Sequence, residues 1–209
     1  MFRIFKICMI FILLCTSPIY AQSNPNDVLN LSKGLDAIER GNYTETNVHL
    51  KELKNPIAKT ILKWAMLRSG HGDWKEYQNF LNDNPQWPGL KKLKEYAELK
   101  IPENGNPQDI LDFFRKQNPQ TGLGALKLFN ALIATNKSNR ANKILYYSWG
   151  NLSLSLNEQK DFLNYELLTE FDHEDRINNL LWRGDVKGAK SILHLSSSKM
   201  QKLIKARIG

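Results

Sequence analysis

The chain has 209 residues, with 29 basic and 21 acidic side chains, four histidines and a formal net charge of +8; 42% of it is apolar. That length suits one domain or a short solenoid whose core needs no covalent staple. The two cysteines, Cys8 and Cys15, both fall within the first 21 residues, so beyond them disulfides and thiolate metal sites are excluded.

Met1 to Ala21 reads as a leader rather than as part of the fold. Arg3 and Lys6 form a basic start, Ile7 to Leu14 an apolar run, and Thr16 to Ala21 a polar exit ending on a small residue, the pattern of a secretory signal cleaved after Ala21. The apolar run is much shorter than the ~18 residues of a spanning helix, which argues against stable membrane insertion. Leu14, not a small residue, precedes Cys15, which argues against lipid attachment. Without Arg3 and Lys6 the 29 basic side chains become 27 against 21 acids, a net charge of +6. On an exported chain such a surface suits an anionic wall polymer or lipid headgroups rather than nucleic acid. Spread over many helices, it also fits an ordinary solvated surface.

After a polar lead, Gln22 to Asn26, short helical patterns follow one another, separated by Gly, Pro and Asn, with no sustained strand alternation. Leu31, Leu35 and Ile38 mark a first helix ended by Gly41. Asn42 caps a second, carrying Val48, Leu50 and Leu53, and Asn55-Pro56 opens a third with Ile57, Ile61, Trp64 and Ala65 as its buried face. Asp73 caps a fourth whose Trp74, Tyr77 and Leu81 share a face. Asn84-Pro85 stops it, Pro88 starts a fifth with Leu90, Leu93 and Ala97 buried, and Trp87 between the prolines fills the corner.

Pro102 to Asn106 is a turn, and Pro107 starts a helix with Ile110, Phe113 and Phe114 inward until Asn118-Pro119. Thr121 caps the next, where Leu123, Leu126, Phe129, Leu132 and Ile133 cover more than one face. That helix is therefore expected at the centre, with Gly122 and Gly124 allowing close approach near its start. Ser138 caps a helix with Ala141, Ile144 and Leu145 that ends near Trp149-Gly150. Ser155 and Glu158 form a capping box ahead of Phe162, Leu163 and Leu167. Asp172 caps a helix carrying Ile177, Leu180, Leu181 and Trp182, and Gly184-Asp185 stops it and starts another with Val186, Ala189, Ile192 and Leu193. Met200, Leu203 and Ile204 begin the last.

Gly41-Asn42-Tyr43, Gly72-Asp73-Trp74 and Gly184-Asp185-Val186 repeat one sign: a left-handed stop, an N-cap and an apolar first turn. This is helical-hairpin punctuation. The fold class expected is all-α, a right-handed α-superhelix or solenoid of short TPR-like hairpins over residues 22–209. The repeats are degenerate, so a closed irregular all-α domain remains open.

His49, His71, His173 and His194 are scattered and make no metal-ligand pattern. Glu166 and Glu170, four apart on one expected helix, with Asp172, Glu174 and Asp175, are the acids to weigh for glycoside chemistry, which needs two carboxylates flanking a cleft. Their placement at a helix start, where acids meet its positive end, makes a structural role the stronger reading. No phosphate loop, nucleophile elbow or dinucleotide fingerprint occurs.

The run W-x-x-Y-x-x-F-L-x-x-N-P-x-W-P from Trp74, continued by L-x-x-L-x-x-x-A-E from Leu90, resembles the helical-repeat region of the soluble lytic transglycosylases, exported enzymes that cut peptidoglycan. The likeness continues in order through Pro119-x-Thr121-x-x-Gly124, Trp149, Glu158-x-x-x-Phe162-Leu163, His173-x-x-Arg176-x-x-x-Leu180-Leu181-Trp182, Ala189 and Ala206-Arg207-Ile208. It implies a periplasmic superhelical scaffold and peptidoglycan as a weakly held partner, with a separate catalytic domain or cell-wall protein as a further one. The family cleaves with a glutamate in an E-S-x-F-type motif of a C-terminal domain, and no Glu-Ser pair occurs in this sequence. No catalytic, cofactor-binding or metal-binding residue is therefore assigned, and the chain alone is expected to be inactive. A truncated gene product, a fragment and a stand-alone module all fit. A periplasmic helical-repeat adaptor that binds protein through a concave face is the alternative.

Overall fold

The structure, a computed structural model, describes residues 24–208; the expected leader, its cleavage point and both cysteines lie outside them. Among the described residues there are twelve α-helices and no strand. They are α1 Pro25–Glu39, α2 Tyr43–Glu52, α3 Pro56–Arg68, α4 Trp74–Asp83, α5 Leu90–Leu99, α6 Pro107–Phe113, α7 Gly122–Ala134, α8 Ser138–Asn151, α9 Leu156–Leu163, α10 Glu170–Trp182, α11 Val186–Ile192 and α12 Ser198–Ile208, with a 3-10 turn at Leu193–Leu195.

Short polar side chains start these helices because the first amides of each have no partner within the helix. Asn42, Asn55, Asp73, Thr121, Ser155 and Asp185 each accept from first-turn amides, as their positions in the sequence lead one to expect. Gly41 and Gly184, at φ +71° and +78°, make left-handed stops before two of these caps, whereas Gly70 and not Gly72 supplies the left-handed turn before Asp73.

Several boundaries and faces differ from expectation. The first helix begins at Pro25, capped by Asn24, inside the stretch read as a polar lead. Pro88 lies in a turn, and α5 starts after Gly89, whose φ of +72° turns the chain. Ser138 is inside α8, which has no side-chain cap, and Thr169, not Asp172, caps α10, with Asp172 as the reciprocal partner of the box. The buried face of α3 is Ala58, Leu62, Met66 and Leu67, one position round from the one inferred; Ile57 is exposed. Of the apolar residues that mark other helices in the sequence, Val48, Ile133, Leu203 and Trp182 face solvent. Trp87 is half-buried, edge-on to Phe80 at 6.2 Å, and its indole N–H has no partner.

Packing is local along the chain: each helix lies mainly against those one or two places away, as α1 against α2 and α3, α3 against α5, α5 against α7, and α8 against α10. Three apolar clusters result. Leu53, Ala58 and Leu62 close α1–α3; Leu67, Tyr77, Phe80, Leu93 and Ala97 close α3–α5; and a large cluster from Ile101 to Ile204 surrounds α7. Trp74 and Phe113, edge-on at 4.7 Å, pack on both of the latter and join them.

Candidate functional site

The central helix α7 is almost wholly apolar, and its buried residues run round most of its circumference. Its start is held by two carboxylates. Glu98, fully buried at the end of α5, accepts from the Gln120 amide at 2.9 Å and from the Thr121 amide and hydroxyl at 2.8 and 2.7 Å. Glu158 accepts from the Leu123 amide with one oxygen and, with the other, from the amide and hydroxyl of Ser155. A helix N-terminus offers unpaired N–H groups and positive potential, so buried acids are favoured there. Burial nevertheless pushes the Glu98 carboxyl up to about 7, against the pull of its hydrogen-bond donors.

Gly122 and Gly124 make room for these acids rather than for another helix backbone. A Cβ on Gly122 would stand 2.5 Å from a Glu158 carboxylate oxygen, and one on Gly124 would stand 2.7 Å from the Glu98 carboxylate carbon.

A second joint lies between α8 and α10. Arg176, fully buried, donates to the carbonyls of Trp149 and Leu152 and stacks over the Trp149 ring at 4.7 Å, with His173 edge-on to the same ring. Arg183, the residue after α10, donates to the Asn151 carbonyl at 2.7 Å, so it and Arg176 together cap the open end of α8. Burial lowers the Arg176 guanidinium to about 10, still protonated at neutral pH, and lowers the His173 imidazole.

Part of the motif set thus gathers at two joints: Ala97-Glu98, Thr121, Gly124 and Glu158 at one, Trp149, His173 and Arg176 at the other. These side chains are buried or half-buried, whereas Trp182, of the same motif set, faces solvent.

The open site is a groove of 490 Å³ across α7. Leu123, Leu126, Lys127, Asn130, Ala131 and Ala134 recur at three- and four-residue steps and make its floor. Glu103, Gly105, Pro107 and Ile110 form one wall, and Asp161, Asn164 and Tyr165 the other. Lys127, nearly buried, pairs with Glu103 at 3.0 Å. The Tyr165 hydroxyl donates to the side-chain amide oxygen of Asn130 at 2.9 Å, and its ring stands edge-on to Phe129. None of these polar residues was singled out from the sequence. The available signal was Lys127 and Asn130, three apart and the only charged or amide residues within the apolar α7.

The acids weighed for glycoside chemistry do not come together. Glu166 lies in the turn after α9 with φ +52°, so it shares no helix with Glu170, the first residue of α10. Asp172 completes the Thr169 cap, Glu174 accepts from Ser197, and Asp175 accepts from Asn179. The histidines are also dispersed: His49 bonds Asn30, His71 stacks on Tyr43 at 3.8 Å, and His194 is exposed. Among the described residues no three His, Cys, Asp or Glu are grouped to hold a metal ion, and no helix is long and apolar enough to cross a membrane. Comparisons with protein-family models, curated proteins and solved structures find no match.

Proposed function

We propose that the chain is a non-catalytic helical scaffold that engages peptidoglycan in the periplasm, of the kind that lytic transglycosylases carry beside their cleaving domain. In this reading its helices stack as a right-handed superhelix of TPR-like hairpins, an arrangement supported by packing that runs between near neighbours in the chain.

The observation that carries the proposal is the groove across α7. Asn130 and Asn164 supply amides, Tyr165 an aromatic edge with a hydroxyl, and Glu103 and Asp161 carboxylates, over a floor of leucine and alanine. Sugar hydroxyls and N-acetyl groups need such mixed donors and acceptors beside apolar surface. Cleavage needs more: an acid sheltered enough to hold a proton until it is delivered. Glu103 is open to solvent and paired with Lys127, while Glu98 is engaged by three donors and lines no groove.

The test is retention on insoluble cell-wall sacculi, followed by mass analysis of released fragments. Retention should fall several-fold for Asn130→Ala with Asn164→Ala, at an unchanged unfolding midpoint, and no 1,6-anhydro product should appear. Release of such products, or retention indifferent to both substitutions, would overturn the proposal.

One feature favours the adaptor reading. Phe171 and Trp182, 76% and 86% exposed, lie eleven residues apart on α10, about three turns, and so share a face. Two large aromatics in solvent suit a protein partner. A chain that ignores sacculi but loses a protein partner on Trp182→Ala would be this adaptor.

A further inference from the structure

A second groove, of 470 Å³, lies on the other side of α6, between that helix and α4–α5. The two are separate: Pro107 and Ile110 line the groove over α7, whereas Asp112 and Phe113 line this one. Its chemistry is also different. Lys94, Arg115 and Lys116 face one acid, Asp112, which Arg115 approaches only to 4.0 Å. Among the described residues Lys94 and Lys116 form no ion pair. Leu81, Leu90 and Phe113 lend an apolar floor that packs on the core beneath, and Gln78 and Asn82 add two amides one turn apart on α4.

We propose that this groove binds a short acidic peptide, with its carboxylates on Lys94, Arg115 and Lys116 and its backbone on Gln78 and Asn82. Three cations select for an anion. Side-chain amides both donate and accept, as a peptide group does; a phosphate only accepts and would leave their carbonyl oxygens without a partner. The apolar floor suits aliphatic side chains, and the volume lies within the range of about 300–1,000 Å³ usual for small-ligand sites. This assignment is independent of the glycan reading.

Calorimetric titration of the full chain with the peptide acetyl-Glu-Ala-Glu, beside its neutral counterpart acetyl-Gln-Ala-Gln-amide, tests it. Only the acidic peptide should bind, and added salt should weaken it. The combined variant Lys94→Gln, Arg115→Gln, Lys116→Gln should lose at least tenfold in affinity. Asp112→Asn, which removes the competing carboxylate, should gain several-fold, a change that a damaged fold does not produce. Asn130→Ala with Asn164→Ala, across α6, should leave peptide binding as it was. Equal binding of the two peptides, an unaltered affinity in the triple variant, or full displacement by an equal concentration of inorganic phosphate would overturn the assignment.

Discussion

Glu98 shows how one side chain makes the fold sensitive to pH. Its carboxyl ordinarily titrates at 4.5 and is raised to about 7 by burial. Between those values the folded chain holds a proton that the unfolded chain has released, so stability falls as pH rises. The contribution is complete below about 4.5 and gone above about 7, on the order of 3 kcal/mol at 1.36 kcal/mol per pH unit. His173 acts in the opposite sense, because burial lowers its pKa and its neutral form is favoured in the fold; that contribution is present above 6.5 and lost as pH falls. The two overlap, so the informative quantity is the difference between parent and Glu98→Gln. Urea unfolding from pH 4.5 to 7.5 should show the parent losing stability relative to this variant as pH rises. Parallel curves would show that the buried carboxyl does not titrate in this range.

At the scale of helices, the joint at the start of α7 makes Gly124 sensitive to a single methyl group. Glycine to alanine within an exposed helix gains about 1 kcal/mol. Here the added Cβ would meet the Glu98 carboxylate, held in place by three donors, and the expected outcome is a loss of about 1–3 kcal/mol. A double-mutant cycle with Glu98→Ala checks it: once the carboxylate is removed, Gly124→Ala should turn neutral or stabilising. Equal effects in both backgrounds would mean that the clash is relieved elsewhere. The same joint explains what could be read from the sequence. Caps such as Asn55 and Ser155 were legible because cap and amide lie within three residues, and the all-helical class followed from the spacing of apolar side chains. The partners of Glu98 lie 22 and 23 residues away, and Leu123 lies 35 from Glu158, distances that no local pattern encodes. Face assignment failed for α3 because apolar residues occupy two adjacent faces, and size favoured Ile57 over the buried Ala58. The groove over α7 escaped because its lining comes from three segments, joined only by folding.

For the whole molecule, the three clusters differ greatly in size, while packing runs mainly between near neighbours in the chain. Among the described residues, twenty buried apolar side chains, six of them on α7 itself, form the cluster centred on that helix, whereas three, Leu53, Ala58 and Leu62, form the cluster of α1–α3. Even with the half-buried Leu31, Leu35, Ile38 and Leu50 packed against it, the smaller cluster removes the least apolar surface from water, and so contributes least to holding its helices. The α1–α3 unit therefore relies on α3 meeting the next cluster, through the Trp64 indole donating to the Pro88 carbonyl and the Lys63–Glu76 ion pair. It also relies on Asp27, whose carboxylate accepts from the amides of Lys54 and Asn55 and ties α1 to the start of α3. Amide hydrogen exchange should accordingly show α1 and α2 opening first, with protection rising through α4–α5 to a maximum in α7 at Leu128 and Leu132. Asp27→Ala should lower protection in α1–α3 by tenfold or more while leaving α7 unchanged. Uniform protection from α1 to α12, or loss spread equally over all helices in that variant, would mean that the clusters unfold as one unit.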